Sequence, residues 1–136
     1  MALSITDGTR QTTLNILSEM VGIPVSYARI FARWVTRDNH PGGSFTATMS
    51  LYVEDNPPPD KIAPLHYEIG CTLPSTAIVA MAETDDRAIL YRHVEYAIHF
   101  QAAQRVVAED ESMKVEQQQA LDELSDALGI ESILTL

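Results

Sequence analysis

Between Ser44 and Val53 the chain alternates with a period of two. Phe45, Ala47, Met49, Leu51 and Val53 are interleaved with Thr46, Thr48, Ser50 and Tyr52. A second alternation sets Leu65, Tyr67, Ile69, Cys71 and Leu73 against His66, Glu68 and Thr72. Successive side chains on a strand point to opposite faces, so both segments predict half-buried strands with one apolar and one polar face. Between them, Glu54 to Asp60 contains Pro57, Pro58 and Pro59 in succession. Prolines cannot donate to a ladder and favour extended backbone, which predicts an exposed, stiff excursion.

The remaining pattern is helical, except at one ambiguous stretch. Leu14, Leu17 and Val21 recur at helical spacing, with Ile16 and Met20 beside them, predicting a helix over 9–21 that Asp7 or Thr9 caps and Gly22 and Pro24 end. Residues 25–37 fit two periods. As a helix, Tyr27, Ile30, Phe31, Trp34 and Val35 form a stripe flanked by Arg29, Arg33 and Arg37; as a strand, Ile30, Ala32 and Trp34 face away from Arg29, Phe31, Arg33, Val35 and Arg37. Aromatic and β-branched content, with the Asn39-His40-Pro41-Gly42-Gly43 turn before a secure strand, favours the strand. Further on, Thr84 precedes a helix whose first turn holds Asp85 and Asp86. Its apolar face is Ile89, His93, Tyr96, Phe100 and Val107, widened by Leu90, Val94, Ala97 and Ile98. A final helix runs from about Ser112 to Leu128, with Met113, Ala120, Leu121, Leu124 and Leu128 at core spacing, Gly129 as a left-handed cap, and Ile130 folding back on Leu124. The tail Ile130, Ile133, Leu134, Leu136 is too apolar for water, so it docks intramolecularly or meets another chain, which motivates a homodimer through the last helix. The expected fold is α+β: an N-terminal helix, a three-stranded antiparallel meander, then two or three C-terminal helices packed on one sheet face.

Length and composition narrow the class. One domain, 1–136, is expected, because a chain of this size with 46% hydrophobic residues suffices for one core. The start of the chain carries no basic leader, and the longest apolar run, Ala77 to Ala82, is too short to span a bilayer. Cys71 is the single cysteine, so neither an internal disulfide nor a cysteine-based zinc cage is available. A cytoplasmic location is the simplest expectation.

Charge changes the picture more than composition does. The formal net of -10 lies mostly in the second half, where residues 83–136 carry twelve acidic and four basic groups. Residues 1–53 carry four arginines against three acids. Such a field favours basic partners and repels phosphate backbones.

Candidate chemistry is sparse. His93-Val94-Glu95 has the spacing of zinc deaminases, but the paired cysteines that complete such a site are missing, and on a helix the two side chains point about 200° apart. His93 and His99 lack the adjacent-turn spacing of a shared metal, so a site would need His40 or His66 brought in by the fold. Cys71, flanked by Ile69 and Leu73, is expected buried and inert. Gly42-Gly43-Ser44 lacks the lysine and following helix of a phosphate loop. The acidic stretch Glu109, Asp110, Glu111, Glu116, Asp122, Glu123, Asp126 and Glu131 does not match a calcium loop. Its ordinary use is a solvated helix face, and the same groups suit a docking surface for arginines.

Two resemblances complete the reading. Leu17 to Phe31, with Ser18 at the small position and Gly22 in the turn, resembles the helix-turn-helix of phage-repressor-like DNA-binding proteins. That resemblance implies that Ser26, Tyr27 and Arg29 face bases and Arg33 the backbone. In size, acidity and element order the chain also looks like the small acidic chaperones of bacterial secreted effectors, which are dimeric α+β binding proteins. The expected function is a non-enzymatic protein-binding module without cofactor or metal, which contacts neither nucleic acid nor membrane directly. It would be a small acidic adaptor or inhibitor docking on a basic protein surface through Glu109, Asp110, Glu111, Glu116, Asp122, Glu123 and Asp126. One version is a phage- or plasmid-type inhibitor of a nucleic-acid-handling complex that works by nucleic-acid mimicry. Tyr52, the Pro57 to Pro59 loop and the Ile133 to Leu136 tail are the candidate apolar anchors. A chaperone-like effector-binding dimer and a helix-turn-helix regulator are the alternatives.

Overall fold

A computed structural model describes residues 7–35, 43–77, 88–132 and 134–136, without the side chains of 7–10, 32–35 and 43–44. Helix α1, Asp7–Val21, leads into strands β1, Tyr27–Val35, β2, Gly43–Tyr52, and β3, Leu65–Leu73. Helix α2, Ala88–Glu109, a 3-10 turn, Glu111–Met113, and helix α3, Lys114–Leu128, follow. The expected α+β order is therefore the one the chain adopts. The expected cap by Thr84 and the Gly42 turn fall outside the described residues, as does Ile133 of the tail.

The three strands form an antiparallel sheet in the order β1-β2-β3. Register places Ile30, Met49 and Tyr67 abreast, and Phe31, Thr48 and Glu68 abreast on the opposite face. One face is thus built from Ala28, Ile30, Phe45, Ala47, Met49, Leu51, Ile69, Cys71 and Leu73, all buried. Leu14 and Leu17 of α1 and Leu90, Tyr91, Val94, Ala97 and Ile98 of α2 close this core. The other face carries Thr46, Thr48, Ser50, His66 and Glu68, with Phe31 71% exposed on it.

Helix α2 is buried on two sides, which is why its apolar face is wide. Its far side, Tyr96, Phe100 and Ala103, meets Leu121, Leu124 and Leu128 of α3 in a second core. Ile130, Leu134 and Leu136 pack against that core, and the Leu136 amide donates to Gln118 Oε1 at 2.9 Å. Of the two expectations for the tail, its described residues follow the intramolecular one. Gly129, at φ 67°, ends α3 in the left-handed conformation, with the Gly129 and Ile130 amides donating to the Asp126 and Ser125 carbonyls at 3.1 Å. Ala120 is exposed and Val107 only half-buried, because each lies at the margin of the stripe that its helix buries.

Candidate functional site

Helix α3 owes its orientation to Leu121, Leu124 and Leu128, which the second core buries. At 100° per residue, Glu116, Asp122, Glu123 and Asp126 fall within an arc of about 120° on the side opposite those leucines. All four are exposed. Val115 lies within the same arc and is 79% exposed, the one large apolar group there. Gln118 donates to Asp122 Oδ1 at 3.0 Å from the adjacent turn, which steadies that carboxylate without neutralising it.

Glu109, Asp110 and Glu111 form a separate group at the corner between α2 and α3, and all are exposed. Asp110 also caps the 3-10 turn, since its Oδ1 accepts from the Ser112 amide at 3.1 Å and from the Ser112 hydroxyl at 2.6 Å. Among the described residues the only ion pair is Lys61 with Glu54 at 3.1 Å. None of the seven candidate carboxylates is matched by a cation there. Asp126 in the last turn of α3 and Asp122 and Glu123 one turn earlier face the negative end of the helix dipole, and no basic residue occupies that last turn. The helix thus carries acidic groups where they lower its own stability.

The helix-turn-helix expectation fails at its second helix. The turn is present: Gly22 adopts φ 75°, its amide donates to the Ser18 carbonyl at 2.9 Å, and the Ser18 hydroxyl accepts from the Val25 amide at 2.9 Å. The segment after it, however, is β1, which pairs along its length with β2, so no recognition helix exists. Arg29, half-buried, is engaged by its own molecule instead. Its guanidinium donates to the carbonyls of Pro57, Pro58 and Pro59 at 2.8, 3.0 and 3.3 Å and to the Tyr52 hydroxyl at 3.2 Å. It also lies 4.8 Å from the Tyr52 ring centroid and 5.7 Å from that of Tyr27.

The same clamp changes the expectation for the proline loop. Glu54 to Asn56 and Pro58 to Asp60 are exposed as expected, but Pro57 is buried, and Tyr52 is buried and donates to the Lys61 carbonyl at 3.1 Å. Consecutive prolines offer carbonyls without amides, so one cation with several donors satisfies all three. Tyr52 and Pro57 are therefore internal supports rather than outward anchors, while Leu134 and Leu136 are half-buried against the second core.

A buried polar cluster was not visible in the sequence. Thr13 of α1 donates to Glu95 Oε1 at 3.2 Å and lies 2.9 Å from His99 Nε2, with Thr13 and Glu95 fully buried. The hydroxyl has one proton; given to Glu95, it requires His99 to offer Nε2–H. Burial holds His93 and His99 at pKa values of about 4, so both are neutral at pH 7. Glu95 of the deaminase-like spacing accepts from Thr13, and no group of three or more His, Cys, Asp or Glu fit for a metal occurs among the described residues. His66 is exposed and hydrogen-bonds Ser50 at 3.2 Å. Cys71 is buried with its pKa pushed up to about 12, which keeps the thiol protonated and unreactive. None of the described helices is long and apolar enough to cross a membrane. No family model, curated protein or solved structure matches the chain.

Proposed function

We propose that the protein works by binding, docking the outer face of α3 on a basic protein surface. The observation that carries this is the set Glu116, Asp122, Glu123 and Asp126 on one exposed face, opposite the buried leucines, with no cation from the described residues beside it. Acids at the carboxyl end of a helix lower its stability, so their placement is better explained by a partner than by the fold. Val115 supplies an apolar contact within the charged field, and charge complementarity supplies speed and selectivity of association. From Glu116 to Asp126 the face spans about 15 Å of helix at 1.5 Å per residue, and a row of carboxylates of that length can compete with a nucleic-acid backbone for arginines and lysines. The finer proposal is thus an inhibitor of a nucleic-acid-handling complex.

The test is affinity capture from the native host on the immobilised chain, run beside the variant E116Q/D122N/E123Q/D126N. The expected partner presents a basic surface, is released by raised salt, is displaced by duplex DNA and is not retained by the variant. Retention by the variant, or binding indifferent to salt, overturns the proposal. Failure of DNA to displace the partner removes mimicry alone.

A further inference from the structure

Among the described residues strand β3 ends the sheet, and its outer edge meets a cleft. Glu68, Ile69 and Gly70 line this cleft together with Ala97, Phe100, Gln101 and Gln104 of α2 and Leu134 of the tail. Glu68 and Gly70 belong to the outer sheet face and Ile69 to the inner one. Residues from both faces meet in one cleft only at a strand's free edge, where backbone amides and carbonyls are available. Among the described residues no backbone hydrogen bond reaches β3 from any element but β2. The cleft holds about 240 Å³, against the roughly 150 Å³ of a cavity that accommodates benzene.

Gly70 gives a second, separate indication. It lies mid-strand, where glycine weakens a sheet. Its backbone is not in the left-handed region, and nothing among the described residues lies within 4 Å of where a Cβ would stand. Neither conformation nor packing against the described residues therefore asks for glycine, and without a side chain Gly70 leaves the mouth of the cleft that it lines uncovered.

We propose that this edge accepts an extended, basic peptide segment of a partner protein as a fourth strand. A residue opposite Ile69 would point toward Phe100, Ala97 and Leu134 and should be apolar. Its neighbour opposite Glu68 would share the outer face and should be lysine or arginine. Glu68 is the only charged residue lining the cleft among the described residues, and the chain's net -10 favours the same sign of partner. A second copy pairing edge to edge would bring two chains of -10 together, which disfavours self-association. This surface is separate from the α3 face and does not depend on it.

The probe is a seven-residue peptide alternating valine and lysine, titrated into the full chain by fluorescence anisotropy with amide exchange of β3 as a second readout. Binding is expected to slow exchange within residues 66–72. It should weaken at least tenfold when glutamate replaces the lysines, when alternate peptide amides are N-methylated, or in the variants Glu68→Lys and Gln104→Trp. Both substituted positions are exposed, and circular dichroism checks that the variants fold. The α3 variant E116Q/D122N/E123Q/D126N should bind the peptide as the wild type does. Equal binding of the N-methylated peptide, loss of binding in the α3 variant, or absence of binding overturns the proposal. So does a concentration-dependent dimer in sedimentation that protects the same amides.

Discussion

Arg29 shows how one residue's meaning depends on what surrounds it. A guanidinium has five donors in a fixed plane and is attracted to aromatic faces, so it suits either a phosphate backbone or a cluster of carbonyls beside tyrosines. Here the carbonyls are those of Pro57, Pro58 and Pro59, and the rings are those of Tyr27 and Tyr52. Replacing Arg29 with methionine keeps much of the aliphatic stem and removes the donors. We expect a loss of roughly 2 kcal/mol in urea unfolding, the scale of hydrogen bonds to a charged group. Faster amide exchange at Lys61, whose amide donates to the Pro58 carbonyl, should accompany it. A variant with unchanged stability and exchange would show that the loop holds itself. The buried trio of Thr13, Glu95 and His99 belongs to the same scale: threonine at a helix position looks like a surface residue until another helix covers it.

At the scale of the element, α3 combines a buried leucine stripe with an exposed acidic arc, and the two make opposite demands. The stripe fixes the helix on α2; the acids near its carboxyl end oppose its dipole. Asp126→Asn should therefore stabilise the protein by about 0.3 to 1 kcal/mol at low salt, and the gain should shrink as salt rises. It should weaken capture of a basic partner at the same time. Thermal unfolding and salt-graded capture measure the two effects, and a variant that loses stability would contradict this account. Strand β1 teaches a related lesson. Residues 25–37 satisfy both a helical and a strand period, and the choice is made by β2, whose ladder pairs Tyr27 with Tyr52 through to Val35 with Ser44. The short turn at Gly22 suits either outcome, which is why a helix-turn-helix likeness survives locally and fails one element later.

For the whole molecule, helix α2 is the centre: it joins the core under the sheet to the core under α3, and it buries His93 in doing so. His93 has a folded-state pKa of about 4 against 6.5 in the unfolded chain, because burial penalises its charged form. Between those values the unfolded chain binds the extra proton, so the stabilisation is complete above about pH 6.5. It is lost as pH falls toward 4 and changes no further below that. The span is worth on the order of 3 kcal/mol at 1.36 kcal/mol per pH unit. Urea midpoints measured from pH 7 to 4.5 should fall less steeply for His93→Leu than for the wild type. Parallel slopes would show that this imidazole is not buried neutral.

The sequence by itself determined the elements: the two alternating strands, the amphipathic helices, the left-handed cap at Gly129 and the concentration of negative charge in the second half. Each of these is local, written in a period of 2 or 3.6 or in the chemistry of one turn. Only the tertiary structure decided where those elements face. It turned the apolar tail inward, enlisted Arg29 and Tyr52 to hold the proline loop, assembled Thr13 with Glu95 and His99 across 82 residues or more, and set the edge of β3 beside α2 along a cleft. These outcomes depend on which surfaces meet, and surfaces far apart in the chain meet because burying apolar area, without regard to sequence distance, drives the packing.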